Sequence, residues 1–174
     1  MHWNVAQLLQ SSLGTQRAYS VDEPDDRQKE LAGSVVGTVR MMKTDRGILV
    51  RARLSTEVWC TCSRCLTQFV EPVSFKIDEV FHPSTDTVHG GKLEEPESGG
   101  AFMIGARHTL DLGEPTRQHA LMSVSMKPLC APDCSGLCST CGSNLNQEEC
   151  GCPKRHADPR WASLEQLSSN PGAH

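Results

Sequence analysis

The sequence predicts an α+β protein: an antiparallel β-meander core, a few short helices, and a small cysteine-rich region at the C-terminal end. Three observations predict it. Residues 33–81 alternate apolar and polar with short connections, the period of strands with one buried and one wet face. Helical patterning is confined to short stretches near residues 4–14, 112–126 and 158–167. Nine cysteines fall into two groups, with six of them between Cys130 and Cys152.

Taken in chain order, "NVAQLLQSSLG" opens with a helical turn. Asn4 can cap it, Val5, Leu8 and Leu9 share a face, and Gly14 can end it. "TQRAYSVDEP" then runs extended. "GSVVGTVRMMKT" is rich in β-branched residues, and "DRG" marks a tight turn. "ILVRARLSTEVW" places Ile48, Val50, Ala52, Leu54, Thr56 and Val58 on one face, with Arg51, Arg53, Ser55 and Glu57 on the other. "FVEPVSFKIDEVF" repeats the pattern with Val73, Phe75 and Ile77. Residues 82–100 lack periodicity and are rich in Gly, Pro and charge, so a flexible loop is expected there. "AFMIGARHTLDL" resumes a short extended piece. "LGEPTRQHALMSVSM" suits a helix, with Glu114 and Pro115 in its first turn and Leu121, Met122 and Val124 as its apolar positions. "DPRWASLEQL" reads as a last helix, capped by Asp158, with Pro159 at the first helical position.

Composition narrows the function classes. The chain has 174 residues, 37% hydrophobic and only 5% aromatic, so its core must be mostly aliphatic. No apolar run approaches the ~20 residues that span a bilayer. The start, "MHWNVAQLLQSSLG", lacks the basic and apolar regions of a signal peptide, which predicts a cytoplasmic protein. Formal net charge is −4, which by itself does not favour nucleic acid. The distribution is uneven. Arg40, Lys43, Arg46, Arg51, Arg53 and Arg64 lie in one segment, while acid collects in "VDEPDDRQKE" and "KLEEPE".

In a reducing compartment disulfides rarely persist, so clustered cysteines read first as metal ligands. Two residues between two cysteines let both sulfurs face one side of a tight turn, with a metal ~2.3 Å from each. Cys138, Cys141, Cys150 and Cys152 form a compact C-x2-C-x8-C-x-C set, and Gly142 supplies the permissive backbone of the turn. The Asn and Gly residues of "GSNLNQEE" tolerate the left-handed turns that bring the second pair back. Cys62 with Cys65 and Cys130 with Cys134 make a second set, leaving Cys60 spare. A rival grouping joins Cys130, Cys134, Cys138 and Cys141, and His108, His119 or His156 could replace a thiol. Four thiolates suit zinc, and an iron–sulfur cluster shares the same ligand type. Thiol redox catalysis is disfavoured, because "CSRC" follows a strand in an antiparallel pattern rather than opening a helix in a βαβ unit. Two units are expected: a β-rich domain over residues 1–129, and a zinc-binding segment with a terminal helix over 130–174.

The ordered motifs "NVAQLL", "CSRCL" with a following "PV", "EVF", "LDL", "KPLC", "GLCSTCGSNLN", "CGC" and "DPRW" resemble the YceD family, the large ribosomal RNA subunit accumulation proteins. The resemblance covers nearly the whole chain. It implies a non-enzymatic ribosome biogenesis factor in the bacterial cytoplasm that supports accumulation or processing of 23S-type ribosomal RNA. The implied partners are that RNA, a pre-ribosomal particle or a ribosomal protein. The chain departs from the family pattern at Gln118, His119 and the extra Cys60.

Together these readings predict a zinc-stabilised scaffold that binds pre-ribosomal RNA or a ribosomal protein. Candidate RNA contacts are Arg40, Arg46, Arg51, Arg53 and Arg64, with Lys127, Lys154, Arg155 and Arg160 beside the cysteines. Trp59 and Trp161 read as core as readily as exposed, so base stacking is not expected to dominate. The alternative is a zinc-stabilised protein-interaction module with no RNA contact. No phosphate-cradling Gly loop, nucleophile elbow or HExxH occurs, so neither an enzyme nor a small-molecule substrate is expected.

Overall fold

The computed structural model describes residues 1–24, 29–85, 91, 102–105, 107–153 and 160. Among these the elements run β1 (His2–Asn4), α1 (Ala6–Leu9), β2 (Gln16–Pro24), β3 (Ser34–Lys43), β4 (Ile48–Thr61), β5 (Gln68–Pro83), β6 (Phe102–Ile104), β7 (Thr109–Asp111) and α2 (Gly113–Ser123). Strands β2 to β6 form one sheet in chain order, and β1 pairs with β7 in a small second sheet. The fold is α+β, built on a β2–β3–β4–β5 antiparallel meander.

The period-two pattern of β4 is realised along its whole length. Ile48, Val50, Ala52, Leu54, Thr56, Val58 and Cys60 point inward and are buried, while the residues between Arg51 and Thr61 in the other register are exposed. Val35, Val39 and Met41 of β3 and Val73, Phe75, Ile77 and Phe81 of β5 complete the inner face. Leu8 and Leu9 of α1, Leu110 of β7, Leu112 and the buried side of α2 cover it. Helix α1 is a single turn, entered through the Asn4 side chain, whose Oδ1 accepts the Ala6 N–H at 3.0 Å.

Three features differ from expectation. Strand β6 pairs parallel to β5, with Phe81 opposite Phe102, so the sheet is mixed at this edge. Parallel pairing needs a connection of a dozen or more residues, and residues 84–101 supply that length. Strand β5 runs to Pro83, two residues into the stretch read as loop, and the rest of 82–100 falls mostly outside the described residues. Helix α2 forms as predicted but buries Pro115, Thr116 and Ala120, leaving Leu121 and Met122 exposed. Small side chains let the helix lie close against β5, and they carry no strong apolar signal. The predicted helix over 158–167 lies almost wholly outside the described residues.

Candidate metal centres and a cationic sheet face

The β4–β5 connection folds into a knuckle. Cys62 N–H donates to Thr67 O at 2.9 Å, and Leu66 N–H donates to Cys62 O at 3.0 Å. Leu66 is left-handed, with φ 59°. The same turn recurs at Cys138: Cys138 N–H donates to Ser143 O at 2.8 Å, and Gly142 N–H donates to Cys138 O at 2.9 Å, with φ 78° at Gly142. In each knuckle the second sulfur meets a hydroxyl two residues on, Cys65 Sγ to Thr67 Oγ1 at 3.4 Å and Cys141 Sγ to Ser143 Oγ at 3.3 Å. The two knuckles are one local structure written twice.

Each knuckle meets a second cysteine pair. Cys62 Sγ lies 3.7 Å from Cys134 Sγ, and Cys65 Sγ lies 3.6 Å from Cys130 Sγ. Cys138, Cys141, Cys150 and Cys152 form the other set, and in both sets the sulfurs all lie within 4.8 Å of one another. These separations far exceed a disulfide bond of about 2.05 Å. They match the roughly 3.8 Å edge of a tetrahedron whose centre is ~2.3 Å from each sulfur. Both tetrads can therefore hold a metal ion. The first is buried except at Cys130 and is walled by Phe69, Leu129 and Leu137; the second lies at the surface. The first also joins sulfurs from both sides of residue 129. The grouping of Cys130 and Cys134 with Cys138 and Cys141 is not the one formed. His108 sits in the turn before β7, where its carbonyl accepts the Val5 N–H, and His119 stacks on Phe75. Neither belongs to a tetrad, and His156 lies outside the described residues.

Charge is already organised at the sulfurs. Backbone N–H groups of Cys130 and Cys65 lower the Cys62 thiol to about 6, and those of Cys141 and Thr140 lower Cys138 to about 6. Cys130 is pushed up to about 12, first by the facing Cys65 sulfur and then by burial, and Cys152 to about 12, first by Cys141. Like charges in contact cannot all ionise. A divalent cation at the centre removes that opposition.

The outer face of the sheet carries the arginines. Thr38, Arg40, Arg51, Arg53, Lys76 and Asp78 line one shallow depression of about 400 Å³. The register places Arg40 directly opposite Arg51, and Arg53 directly opposite Lys76. Arg51 pairs with Asp78 at 3.2 Å; no carboxylate pairs with Arg40, Arg53 or Lys76 among the described residues. Arg46 lies apart on the exposed β3–β4 turn, and its N–H donates to Asp45. Arg64 is also apart: its guanidinium donates to Cys134 O at 2.8 Å and braces the first tetrad. Lys127 is exposed, and Lys154 and Arg155 lie outside the described residues. Trp59 shares the outer face with Arg51 and Arg53 and is 53% exposed, which removes it from the core. Trp161 lies outside the described residues. Sequence reasoning missed Lys76, although its place between Phe75 and Ile77 puts it outward. It also missed Thr67, Asn144 and Asn146, whose side chains bond to sulfurs of the first tetrad or to one another.

A mixed β-sheet with one cationic face, joined to two four-cysteine clusters able to hold metal, defines a small β-rich protein of the metal-knuckle kind. The profile described as "Large ribosomal RNA subunit accumulation protein YceD" matches residues 50–168, and the chain belongs to this family. An uncharacterized protein of Mycobacterium tuberculosis is 31% identical over 130 residues, covering 74% of this chain and 59% of that protein. An uncharacterized Mycobacterium leprae protein is 27% identical over the same length. A chloroplastic YCED homolog of Arabidopsis thaliana, named for large ribosomal RNA subunit accumulation, is 28% identical over 58 residues, 33% of this chain and 18% of that one. The chain thus spans about three fifths of the mycobacterial proteins it matches. No solved structure matches. No helix among the described residues is long and apolar enough to cross a membrane.

Proposed function

We propose that this protein is a non-enzymatic factor supporting accumulation of large-subunit ribosomal RNA, and that it binds that RNA, or a precursor particle containing it, through the outer face of its sheet. The observation that carries this reading is the register, which sets like charges directly opposite each other, Arg40 against Arg51 and Arg53 against Lys76. Like charges placed directly opposite destabilise a sheet. Arg51 is partly countered by Asp78, but Arg40, Arg53 and Lys76 have no carboxylate partner among the described residues, and cations gathered at such a cost suit a polyanion, whose phosphates relieve the repulsion. Trp59 on the same face offers an exposed ring for base stacking. Arg46 and Arg64 are set aside as main contacts, one by its place on a distant turn and the other by its bond to Cys134.

Zinc is the metal this reading assigns to both tetrads, with Cys62, Cys65, Cys130 and Cys134 holding one ion and Cys138, Cys141, Cys150 and Cys152 the other. Four protein thiolates leave no open position for a water nucleophile, so the metal's part is to fold a segment poor in apolar residues. The cytoplasm is the compartment that suits unpaired thiols and ribosome assembly.

The test is ultraviolet crosslinking to RNA in growing cells, with sequencing of bound fragments and mapping of crosslinked peptides. Enrichment of large-subunit precursor RNA on peptides of β3, β4 and β5 is the expected result. An association with the particle that survives ribonuclease, without crosslinks, overturns RNA binding in favour of a protein contact.

A further inference from the structure

The loop between Cys141 and Cys150 contains the side chains Asn144 and Asn146, and both reach out of their own tetrad toward the other. Asn146 Nδ2 donates to Cys134 Sγ at 3.3 Å and to Asn144 Oδ1 at 2.7 Å. Its Oδ1 accepts the Ser135 N–H at 2.7 Å. That backbone donor fixes the orientation of the amide, because only an oxygen can face it, and so commits the NH2 group to the sulfur. Asn144 Nδ2 donates to Thr67 Oγ1 at 3.4 Å, and Thr67 Oγ1 is the hydroxyl in contact with Cys65 Sγ. Asn144 Oδ1 also accepts the Asn146 N–H at 3.0 Å. The result is a chain of hydrogen-bond contacts, Asn144 through Thr67 to Cys65 and Asn146 to Cys134, that ends on two sulfurs of the first tetrad and starts in the loop closed by the second.

Neither asparagine adopts the left-handed backbone expected of it, although Asn144 heads a turn in which its carbonyl accepts the Gln147 N–H at 3.0 Å. Among the described residues the non-glycine left-handed positions are Leu66 and His108 alone. Beyond that turn, their side chains make the contacts with the first tetrad.

From this geometry we infer that the two metal sites are coupled: closure of the second tetrad holds Asn144 and Asn146 where they stabilise metal at the first, so the first site reaches full affinity only when the second is filled. The inference rests on the reading that both tetrads bind metal. N–H donors to a metal-bound thiolate orient the ligand and spread its charge, and removing such outer partners typically weakens metal binding about 10–100-fold. Gly136 brings the strands of this linkage together: Leu145 N–H donates to Gly136 O at 2.9 Å, and Leu137 bridges Asn144.

The test is competition of the metal-free full chain against a chromophoric chelator, with zinc and with cobalt, whose thiolate charge-transfer band reports each tetrad. Wild type should bind two ions. Asn146→Ala, and independently Thr67→Val, whose shape is nearly unchanged, should weaken one of the two about 10–100-fold. In a Cys150→Ser background the remaining site should already be weak, with Asn146→Ala adding little. Wild-type affinity at both sites in Asn146→Ala and Thr67→Val, or a first site of full strength in Cys150→Ser, overturns the coupling. Fewer than two ions on wild type removes the metal reading itself, and the coupling with it.

Discussion

Cys60 ends the inward series of β4 and lies buried beside Glu71, a residue or two short of the first tetrad. Its alternation from Ile48 onward was legible in the sequence, and simple extension of the period would have turned a spare thiol into a core residue. Burial, then the Glu71 charge, raises its thiol above the ordinary 9.0. A raised acid is held neutral by the fold, so its contribution to stability is present below pH 9 and is lost as pH climbs through the folded value. With eight sulfurs in the tetrads, a thiol count should therefore step: protection with metal bound, eight alkylated after chelation, and the ninth only in denaturant. A ninth thiol reacting together with the eight would place Cys60 outside the core. Arg53 has the opposite character, being kept at a cost. Arg53→Thr removes its opposition to Lys76 and should raise stability by about 0.2–1 kcal/mol in a denaturant titration. If the outer face binds RNA as proposed, the same change should weaken that binding and reduce the salt slope by about 1. Arg46→Ala, on the distant turn, should leave both unchanged. What the sequence withheld at this scale is Arg64: nothing in "CSRC" says that its guanidinium turns back onto a carbonyl seventy residues on.

Strands with a long two-residue period were legible as elements, because burying one face of a sheet imposes that period along β4 and over Pro72–Asp78 of β5. Strand β6 was not legible as a parallel edge, since three residues hold no period and no sign of direction. Its anchor is Phe102, stacked on the fully buried Phe81 with ring centroids 5.3 Å apart. Phe81→Ala should lower stability by about 3–5 kcal/mol, measured by urea unfolding. Helix α2 was legible as a helix but not in its orientation. Its buried side is Pro115, Thr116 and Ala120, so the larger apolar residues that drew attention face water. Met122→Lys, at an 80% exposed position, should change stability by no more than about 0.5 kcal/mol. Ala120→Leu, at a fully buried one, should cost about 1–3 kcal/mol. The reverse order would put the helix the other way round on the sheet. The knuckles were legible from spacing alone. Their partners were legible from spacing for the second tetrad, where all four sulfurs lie within fifteen residues; for the first, Cys130 and Cys134 were legible as partners of Cys62 and Cys65, but spacing could not set aside the rival grouping with Cys138 and Cys141.

At the scale of the molecule, two kinds of cohesion share one chain. The sheet and its covering elements bury a continuous aliphatic core, whereas residues 130–153 bury little besides Cys134. Chelation should therefore melt the second part and spare the first. Hydrogen exchange with and without chelator should show protection lost between Cys130 and Cys152 and kept at Val39, Val50 and Ile77; uniform loss would mean that the sheet also depends on metal. The first tetrad has a further consequence, one of time. Cys62 and Cys134 are 72 residues apart, and at synthesis rates of about 5–20 residues per second roughly 4–14 s pass between their emergence. During that interval the Cys62–Cys65 knuckle is a finished claw with half its prey missing, open to oxidants and to the wrong ion. The second tetrad, made of near neighbours in the chain, closes within moments of being made. A nascent chain thus guards its later thiols better than its earlier ones, and stalling between residues 65 and 130 is the moment of greatest exposure.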